Sequence, residues 1–165
     1  MANAQLLSGQ DVLLQPTELL NQSATGKGEE AYIKQVGNSN EVNLLQDKAE
    51  AGLGSLAKVL QSGDWNLAII TQTEQGNRIA IIQNGDLNKL DLTNLGSDNR
   101  IALIQNGSNN SIVHSLINSN QINSELVQIG NSNEIISVLE GVQGGNFSIK
   151  QIGDGLKIIV RQSSF

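Results

Sequence analysis

The stretch NRIAIIQNGDL at residues 77–87 recurs almost unchanged at residues 99–109, as NRIALIQNGSN, with a more divergent copy, NKLDLTNLGSD, between them. When further copies are aligned on the first residue of this pattern, most of the chain divides into half-repeats of about eleven residues. The spacing inside a pair of halves is constant, whereas the spacing between pairs varies. The halves therefore combine into six repeat units: 29–46, 55–72, 77–94, 99–116, 122–139 and 145–162.

Each half-repeat alternates between apolar and polar residues. The residues two and four places after its start are apolar in nearly every copy, and most charged residues fall between them. This period of two is typical of a β-strand that buries one face. We therefore predict an all-β fold with the following apolar core: Ile33, Val42, Leu44, Val59, Ile70, Ile79, Ile81, Leu90, Leu92, Ile101, Leu103, Ile112, Leu126, Ile135, Phe147, Ile149, Ile158 and Val160.

Glycine marks the turn inside every unit. It occupies the eighth place after the start of each one, as Gly37, Gly63, Gly85, Gly107, Gly130 and Gly153. Glycine is favoured where a tight turn needs a positive φ, so we predict a chain reversal at each of these residues. The turns between units share no such residue, and the first of them carries an insertion within DKAEAGLG (47–54).

Two kinds of polar residue recur beside the apolar ones. The sixth place after the start is glutamine except at Asn94, Leu116 and Leu139. The glutamines are Gln35, Gln46, Gln61, Gln72, Gln83, Gln105, Gln128, Gln151 and Gln162. The first place is often asparagine: Asn40, Asn66, Asn77, Asn88, Asn99, Asn110 and Asn133. By the alternation both point inward, where an amide without hydrogen-bond partners costs about 1–3 kcal/mol. Identical amides stacked about 4.8 Å apart can bond to one another, so we predict a Gln ladder and an Asn ladder.

Such ladders require like residues to stack on like, and therefore parallel, in-register strands. We predict a flattened β-solenoid of cross-β type, in which six strand–turn–strand rungs form two facing parallel sheets. Its first and last rungs would expose unpaired strand edges, and the single proline, Pro16, lies outside the repeats. Because a contact between unlike ends of identical molecules does not close, these ends predict a head-to-tail homopolymer.

The composition argues against several functions. The 165 residues include no cysteine and carry a net charge of −6, which excludes disulfides and thiolate metal sites and disfavours a nucleic-acid partner. No run of about 18 apolar residues is present, so we expect no membrane span. His114 is the single histidine, and no second His or Cys could join it as a metal ligand or catalytic partner. We expect neither an enzyme nor a cofactor.

Two binding functions are alternatives to this interpretation. The turn acids Asp64, Asp86, Asp98 and Asp154 could in principle bind calcium, but the paired glycines of calcium-binding β-rolls do not recur beside them. A monomeric solenoid that binds a surface such as ice or polysaccharide stays open as a weaker alternative, since the columns of threonine expected of an ice-binding face are missing.

The motifs QVGNSNEVNLLQ (35–46), QSGDWNLAIITQ (61–72) and QIGNSNE (128–134) resemble the curlin repeat of bacterial curli, the extracellular functional amyloid of biofilms. The resemblance covers residues 29–162. The sequence departs from the pattern at His114, Leu116 and Asn118, and at Leu156, where Asn is expected.

The resemblance implies a structural fibre subunit that is secreted through an outer-membrane curli pore and contributes to biofilm matrix and adhesion at the cell surface. It further implies that residues 1–28 are a flexible leader read by the pore, after removal of a signal peptide, and that residues 163–165 are a short C-terminal end. The alternative within the family is the minor curlin, a nucleator that templates fibre growth. The segment GDWNLAIITQ (63–72) and the basic finish LKIIVRQ (156–162) resemble the nucleator more closely.

Overall fold

The computed structural model describes residues 3–4, 29–47 and 54–164, and within them the chain forms strands and turns without a helix. The strands are β1 (Asn3–Ala4), β2 (Glu30–Val36), β3 (Glu41–Gln46), β4 (Leu56–Ser62), β5 (Leu67–Gln72), β6 (Arg78–Asn84), β7 (Lys89–Leu95), β8 (Arg100–Asn106), β9 (Ser111–Ile117), β10 (Asn120–Ile129), β11 (Glu134–Glu140), β12 (Gln143–Ile152) and β13 (Lys157–Ser163).

The strands form two sheets. Sheet A has the order β1-β2-β4-β6-β8-β10-β12, and sheet B has the order β13-β11-β9-β7-β5-β3. Every pairing is parallel, and each step along a sheet advances by one repeat unit. The first half of each unit thus lies in sheet A and the second half in sheet B. This arrangement confirms the predicted β-solenoid of six rungs.

The register places like residues on like, as predicted. Between β6 and β8, for example, Ile79 pairs with Ile101, and Gln83 pairs with Gln105. A shift by one residue would turn every core side chain to the outside, which is why the alternation fixes the register so strongly.

The space between the sheets holds the predicted apolar residues in one continuous cluster. In the inner rungs these side chains are at most 2% exposed, whereas the end rungs, which lack a neighbour on one side, leave theirs partly exposed. The partly exposed members are Ile33, Val42, Leu44, Phe147, Ile158 and Val160. The core also includes Leu116, Ile122 and Leu139, which occupy places held by amides in other rungs.

Two features of the fold differ from the sequence expectation. Strands β10 and β12 begin two residues before their repeat units, because Asn120 pairs with Gln143 and extends the ladder into the turn. In addition, the first rung has a neighbouring strand at its outer edge, because β1 pairs with Glu30 and Ala31 of β2. The edge of sheet A at this rung is therefore partly occupied by residues of the expected leader. The rest of that leader, residues 1–2 and 5–28, lies outside the described residues.

Candidate functional site

A column of six glutamines runs along sheet A through the whole solenoid. Each side-chain amide donates from Nε2 to Oε1 of the next glutamine, over distances of 2.7, 2.7, 2.9, 3.1 and 2.9 Å. The members are Gln35, Gln61, Gln83, Gln105, Gln128 and Gln151. From Gln61 onward, each Nε2 also donates to a backbone carbonyl oxygen of sheet B. The acceptor lies at the start of the strand that belongs to the preceding rung; Gln105 Nε2, for example, donates to the Lys89 carbonyl oxygen at 3.0 Å. The column therefore ties sheet A to sheet B.

This column has a direction. Every Nε2 donates toward the C-terminal rung. Among the described residues, no glutamine precedes Gln35 to donate to its Oε1, and no glutamine follows Gln151 to accept from its Nε2. The N-terminal end of the column thus presents an acceptor, and the C-terminal end presents a donor.

The glutamines of sheet B do not form the continuous ladder that was predicted. Gln46 and Gln72 are joined at 3.5 Å, but the following places in register are Asn94, Leu116 and Leu139. Asn94 is shorter by one methylene and leucine has no amide, so the ladder is broken. As a result Gln72 Nε2 and Asn94 Nδ2 are buried without a partner among the described residues. Gln46 Oε1 also has no partner there, because β3 is the first strand of sheet B and no amide precedes it. Gln162 is exposed, in register with Leu139.

The predicted Asn ladder is in fact two columns on opposite sides of the solenoid. The turns inside the units hold Asn40, Asn66, Asn88, Asn110 and Asn133, and the turns between units hold Asn77 and Asn99. In the first column the side-chain amides bond to one another as predicted, from Nδ2 of Asn66, Asn88 and Asn110 to Oδ1 of the preceding asparagine at 3.0–3.1 Å. The same amides also bond to the backbone. Asn88, for instance, donates from Nδ2 to the Gly107 carbonyl at 2.8 Å and accepts from the backbone N–H of Asn110 at 3.1 Å.

The turn glycines serve the stacking of rungs as well as the chain reversal. All six have a positive φ, between 107° and 131°. A Cβ at Gly37, Gly63, Gly85, Gly107 or Gly130 would also stand only 2.0–2.3 Å from the carbonyl oxygen of the glycine in the next rung. Any side chain there would force the rungs apart. Gly153 has no rung beyond it, and a Cβ there would meet only the Leu156 side chain, at 3.4 Å.

A further polar column in the turns was not anticipated from the sequence. Asp64 Oδ1 accepts the backbone N–H of Asn38 at 2.7 Å, and Asp154 Oδ1 accepts that of Asn131 at 2.6 Å. The signal was present as Asn, Asp or Ser directly after each turn glycine. These carboxylates join adjacent rungs, which accounts for their recurrence without calcium. In the described residues, three or more His, Cys, Asp or Glu side chains nowhere converge in a way that could hold a metal ion.

The core of the fourth to sixth rungs contains a group of buried polar side chains. His114 is fully buried, with Nε2 at 2.9 Å from Ser124 Oγ and its ring stacked at 6.1 Å on Phe147. Burial lowers the pKa of His114 to about 4. Its Nδ1 and the Oγ of Ser137 are buried without a partner in the described chain. His114, Ser124 and Ser137 are at most 1% exposed, so this group lies inside the core between the two sheets.

The end rungs are the other distinctive surfaces. Within the described residues, β12 and β13 form the outermost strands at the C-terminal end, and β3 has no strand beyond it at the N-terminal end. Lys157 on the last rung is bound to Glu134 of the rung before it at 2.6 Å. These edges expose backbone N–H and C=O groups in the same parallel register that the inner strands use.

Comparisons of the chain with protein-family models, with curated proteins and with solved structures found no match. The described residues also include no helix of the length and apolarity needed to cross a membrane.

Proposed function

We propose that this protein is the structural subunit of an extracellular curli-like amyloid fibre, which grows when the last rung of one molecule stacks on the first rung of the next. The observation that carries the proposal is the direction of the glutamine column, with an open donor at Gln151 and an open acceptor at Gln35. In a head-to-tail stack these two groups meet, and the column continues through the junction as it does between inner rungs.

A second turn contact supports the same junction. The backbone N–H groups of Asn38, Asp64, Ser108 and Asn131 each donate to the side chain at the same place in the next rung. The backbone N–H of Asp154 occupies this place in the last rung, and Asn38 of the next molecule would bring its Oδ1 to it. Gly153 would lie against Gly37, which repeats the close glycine contact of the inner rungs. The backbone edges of β12 and β13 would meet those of β2 and β3.

Other contacts at the junction are weaker. Leu156 would face Asn40, so the asparagine column has no amide to offer there. Lys157 would face Glu41 favourably, while Lys150 would face Lys34 unfavourably, and exposed pairs of this kind are worth about 0–1 kcal/mol each. The strand β1 also occupies part of the β2 edge, and it would have to leave for the full junction to form. We expect assembly to show a lag for this reason.

The resemblance to curlins adds secretion through an outer-membrane pore and a role in biofilm adhesion to this proposal. The nucleator remains the alternative, because it would use the same rungs to template other subunits. A monomeric surface-binding solenoid is the remaining possibility.

The test is assembly of the purified chain, refolded from denaturant at neutral pH without seeds and followed by electron microscopy and fibre diffraction. We expect filaments with a meridional reflection at about 4.8 Å. A stable monomer with β-type circular dichroism would refute polymerisation as the intrinsic function. Unseeded growth favours the subunit, whereas short assemblies that accelerate a second curlin would favour the nucleator.

The junction itself is tested by Gly153→Ala, with Gly145→Ala as the matched control. Both glycines lie in the last rung with a φ of 131°, and neither has backbone within 4 Å of an added Cβ, so both variants strain the monomer alike. In a head-to-tail stack only the Gly153 methyl would meet a carbonyl oxygen, at about 2 Å by analogy with the inner turns. We expect Gly153→Ala to block elongation and Gly145→Ala to permit it. Equal elongation by the two variants would contradict the in-register junction.

A further inference from the structure

One column of sheet A changes from polar to apolar toward the two ends of the solenoid. It lies directly before the turn glycines, and each of its members is in register with the next. The three places in the middle hold polar residues, whereas the places nearest the ends hold valine or isoleucine. We call this set the pre-turn column, and its members in chain order are Val36, Ser62, Asn84, Asn106, Ile129 and Ile152.

The polar members of the pre-turn column contact one another within the molecule. Asn84 donates from Nδ2 to Oδ1 of Asn106 at 3.3 Å, so two stacked asparagines at this place form an amide bond between rungs. Asparagine at every rung could continue this ladder along the solenoid. The apolar residues interrupt it, and they do so toward the ends rather than in the middle.

The apolar members leave much of their surface in water. Val36 is 53% exposed and Ile152 is 63% exposed, and both belong to end rungs. Ile129 has the same side chain and the same place in the repeat as Ile152, yet it is only 37% exposed, because Ile152 stands on the rung beyond it. One further rung thus covers a substantial part of an isoleucine in this column. Ile152 lacks such a rung among the described residues.

In a head-to-tail stack the pre-turn column would run on from Ile152 of one molecule to Val36 of the next. The register that places Gln151 on Gln35 also places Ile152 on Val36, since these two residues directly follow the glutamines. Strand β1 pairs with Glu30 and Ala31, at the other end of β2, and leaves Val36 exposed. Both apolar side chains would lose contact with water at the junction, which favours the stacked state.

This match does not recur at the other exposed apolar residues of the end rungs. In the same register, the large apolar side chains that are exposed in the described part of these rungs would meet polar residues: Leu45 would meet Arg161, Ile159 would meet Asn43, and Leu156 would meet Asn40. The pre-turn column is therefore the place where exposed apolar surface at one end of the molecule corresponds to exposed apolar surface at the other.

We propose that Ile152 and Val36 form the contact that selects the partner at the head-to-tail junction, and that this partner is a second copy of the chain stacked in register. The inference rests on the proposed function, because it concerns the same junction. A rung with asparagine at this place would set an amide against an apolar side chain and leave the hydrogen bonds of that amide unmade. The end rungs therefore prefer each other to a rung of the inner type.

Four proteins test the contact: the unchanged chain, Ile152→Asn, Val36→Asn and the double variant. Filaments are grown to completion, and sedimentation gives the concentration of monomer left in solution. Each single variant sets asparagine against an apolar side chain at every junction, so we expect at least about a fivefold higher residual monomer concentration. In the double variant two asparagines would meet as Asn84 and Asn106 do, and the concentration should return to within about twofold of that of the unchanged chain.

Ile129→Asn is the matched control. It removes an exposed isoleucine from the same column and from contact with Ile152, but it leaves both faces of the junction unchanged. We expect its residual monomer concentration to stay within about twofold of that of the unchanged chain. Circular dichroism of dilute monomer verifies the solenoid in every variant.

Three results would overturn the inference while filaments still form. They are a single variant that assembles as well as the unchanged chain, a double variant that assembles no better than the single variants, and an Ile129→Asn variant as impaired as Ile152→Asn. The second result would mean that the two side chains act through different contacts, such as those with a neighbouring filament. If the unchanged chain forms no filaments, the proposed function fails and the inference fails with it.

Discussion

Replacing Gln105 by leucine should measure what one buried amide of the sheet A column contributes to stability. Gln105 is fully buried and takes part in three hydrogen bonds: it accepts from Gln83 at 2.9 Å, and it donates to Gln128 at 3.1 Å and to the Lys89 carbonyl at 3.0 Å. Leucine has a similar volume and occurs naturally in the broken column of sheet B, at Leu116 and Leu139, so it should fit without a cavity.

The expected loss follows from the bonds that are removed. At about 1 kcal/mol for each hydrogen bond, Gln105→Leu should lower the free energy of unfolding by about 3 kcal/mol. Most of the loss arises at Gln128 Oε1 and the Lys89 carbonyl, which lose a donor, because Gln83 Nε2 keeps its bonds to the carbonyls of Leu67 and Asn88. For a chain of this size the melting temperature should fall by about 6–12 °C.

The assay is chemical and thermal unfolding of dilute monomer, followed by circular dichroism. Gln162→Leu is the control, since this glutamine is exposed and faces Leu139, and the change there should stay below about 0.5 kcal/mol. If the Gln105→Leu variant were as stable as the control, the reasoning that the ladder stabilises the solenoid would be wrong.

The remaining predictions concern the turn at Gly107 and the buried His114. Gly107→Ala should lower the free energy of unfolding of the monomer by at least about 2 kcal/mol, because the added methyl would stand 2.1 Å from the Gly130 carbonyl oxygen and φ is 118°. Denaturant titration measures this loss. A smaller loss than in the Gly153→Ala variant would contradict the argument from the close contact. Stability should also fall in acid because of His114. Its pKa of about 4 in the folded state lies below the ordinary 6.5, so the unfolded chain takes up the proton first, and the stability present above pH 6.5 is lost as the pH falls toward 4. Between pH 7 and pH 5 this loss in the free energy of unfolding should be about 2 kcal/mol, and the His114→Leu variant should lack it. If the stability of the unchanged protein and that of the His114→Leu variant fall in parallel over this interval, His114 is not the cause.

The alternation of apolar and polar residues was sufficient to predict the fold, because one repeating unit can bury its apolar face in only a few ways. It could not show which residues share a column when one residue type occurs in both halves of a unit. Asn77 and Asn88 look equivalent in the repeat, yet they lie at opposite turns. The exceptions Asn94, Leu116 and Leu139 were visible in the repeat, but only the register shows that all three lie in sheet B and interrupt its glutamines there.

Contacts that cross between rungs were the least predictable. A glycine at a turn suggests a positive φ, but the approach of Gly107 to the Gly130 carbonyl depends on the stacking distance as well as on the turn.

The common orientation of the glutamine amides gives the solenoid an electrical axis. Each side-chain amide is a dipole, and six of them aligned in one column add to a field with its positive pole at Gln151 and its negative pole at Gln35, much as peptide dipoles add in a helix. A compound that ends in a carboxylate would therefore favour the rung of Gln151, and one that ends in an amidinium would favour the rung of Gln35. The two ends of this molecule are thus chemically distinct targets, even though their backbones offer the same parallel edge.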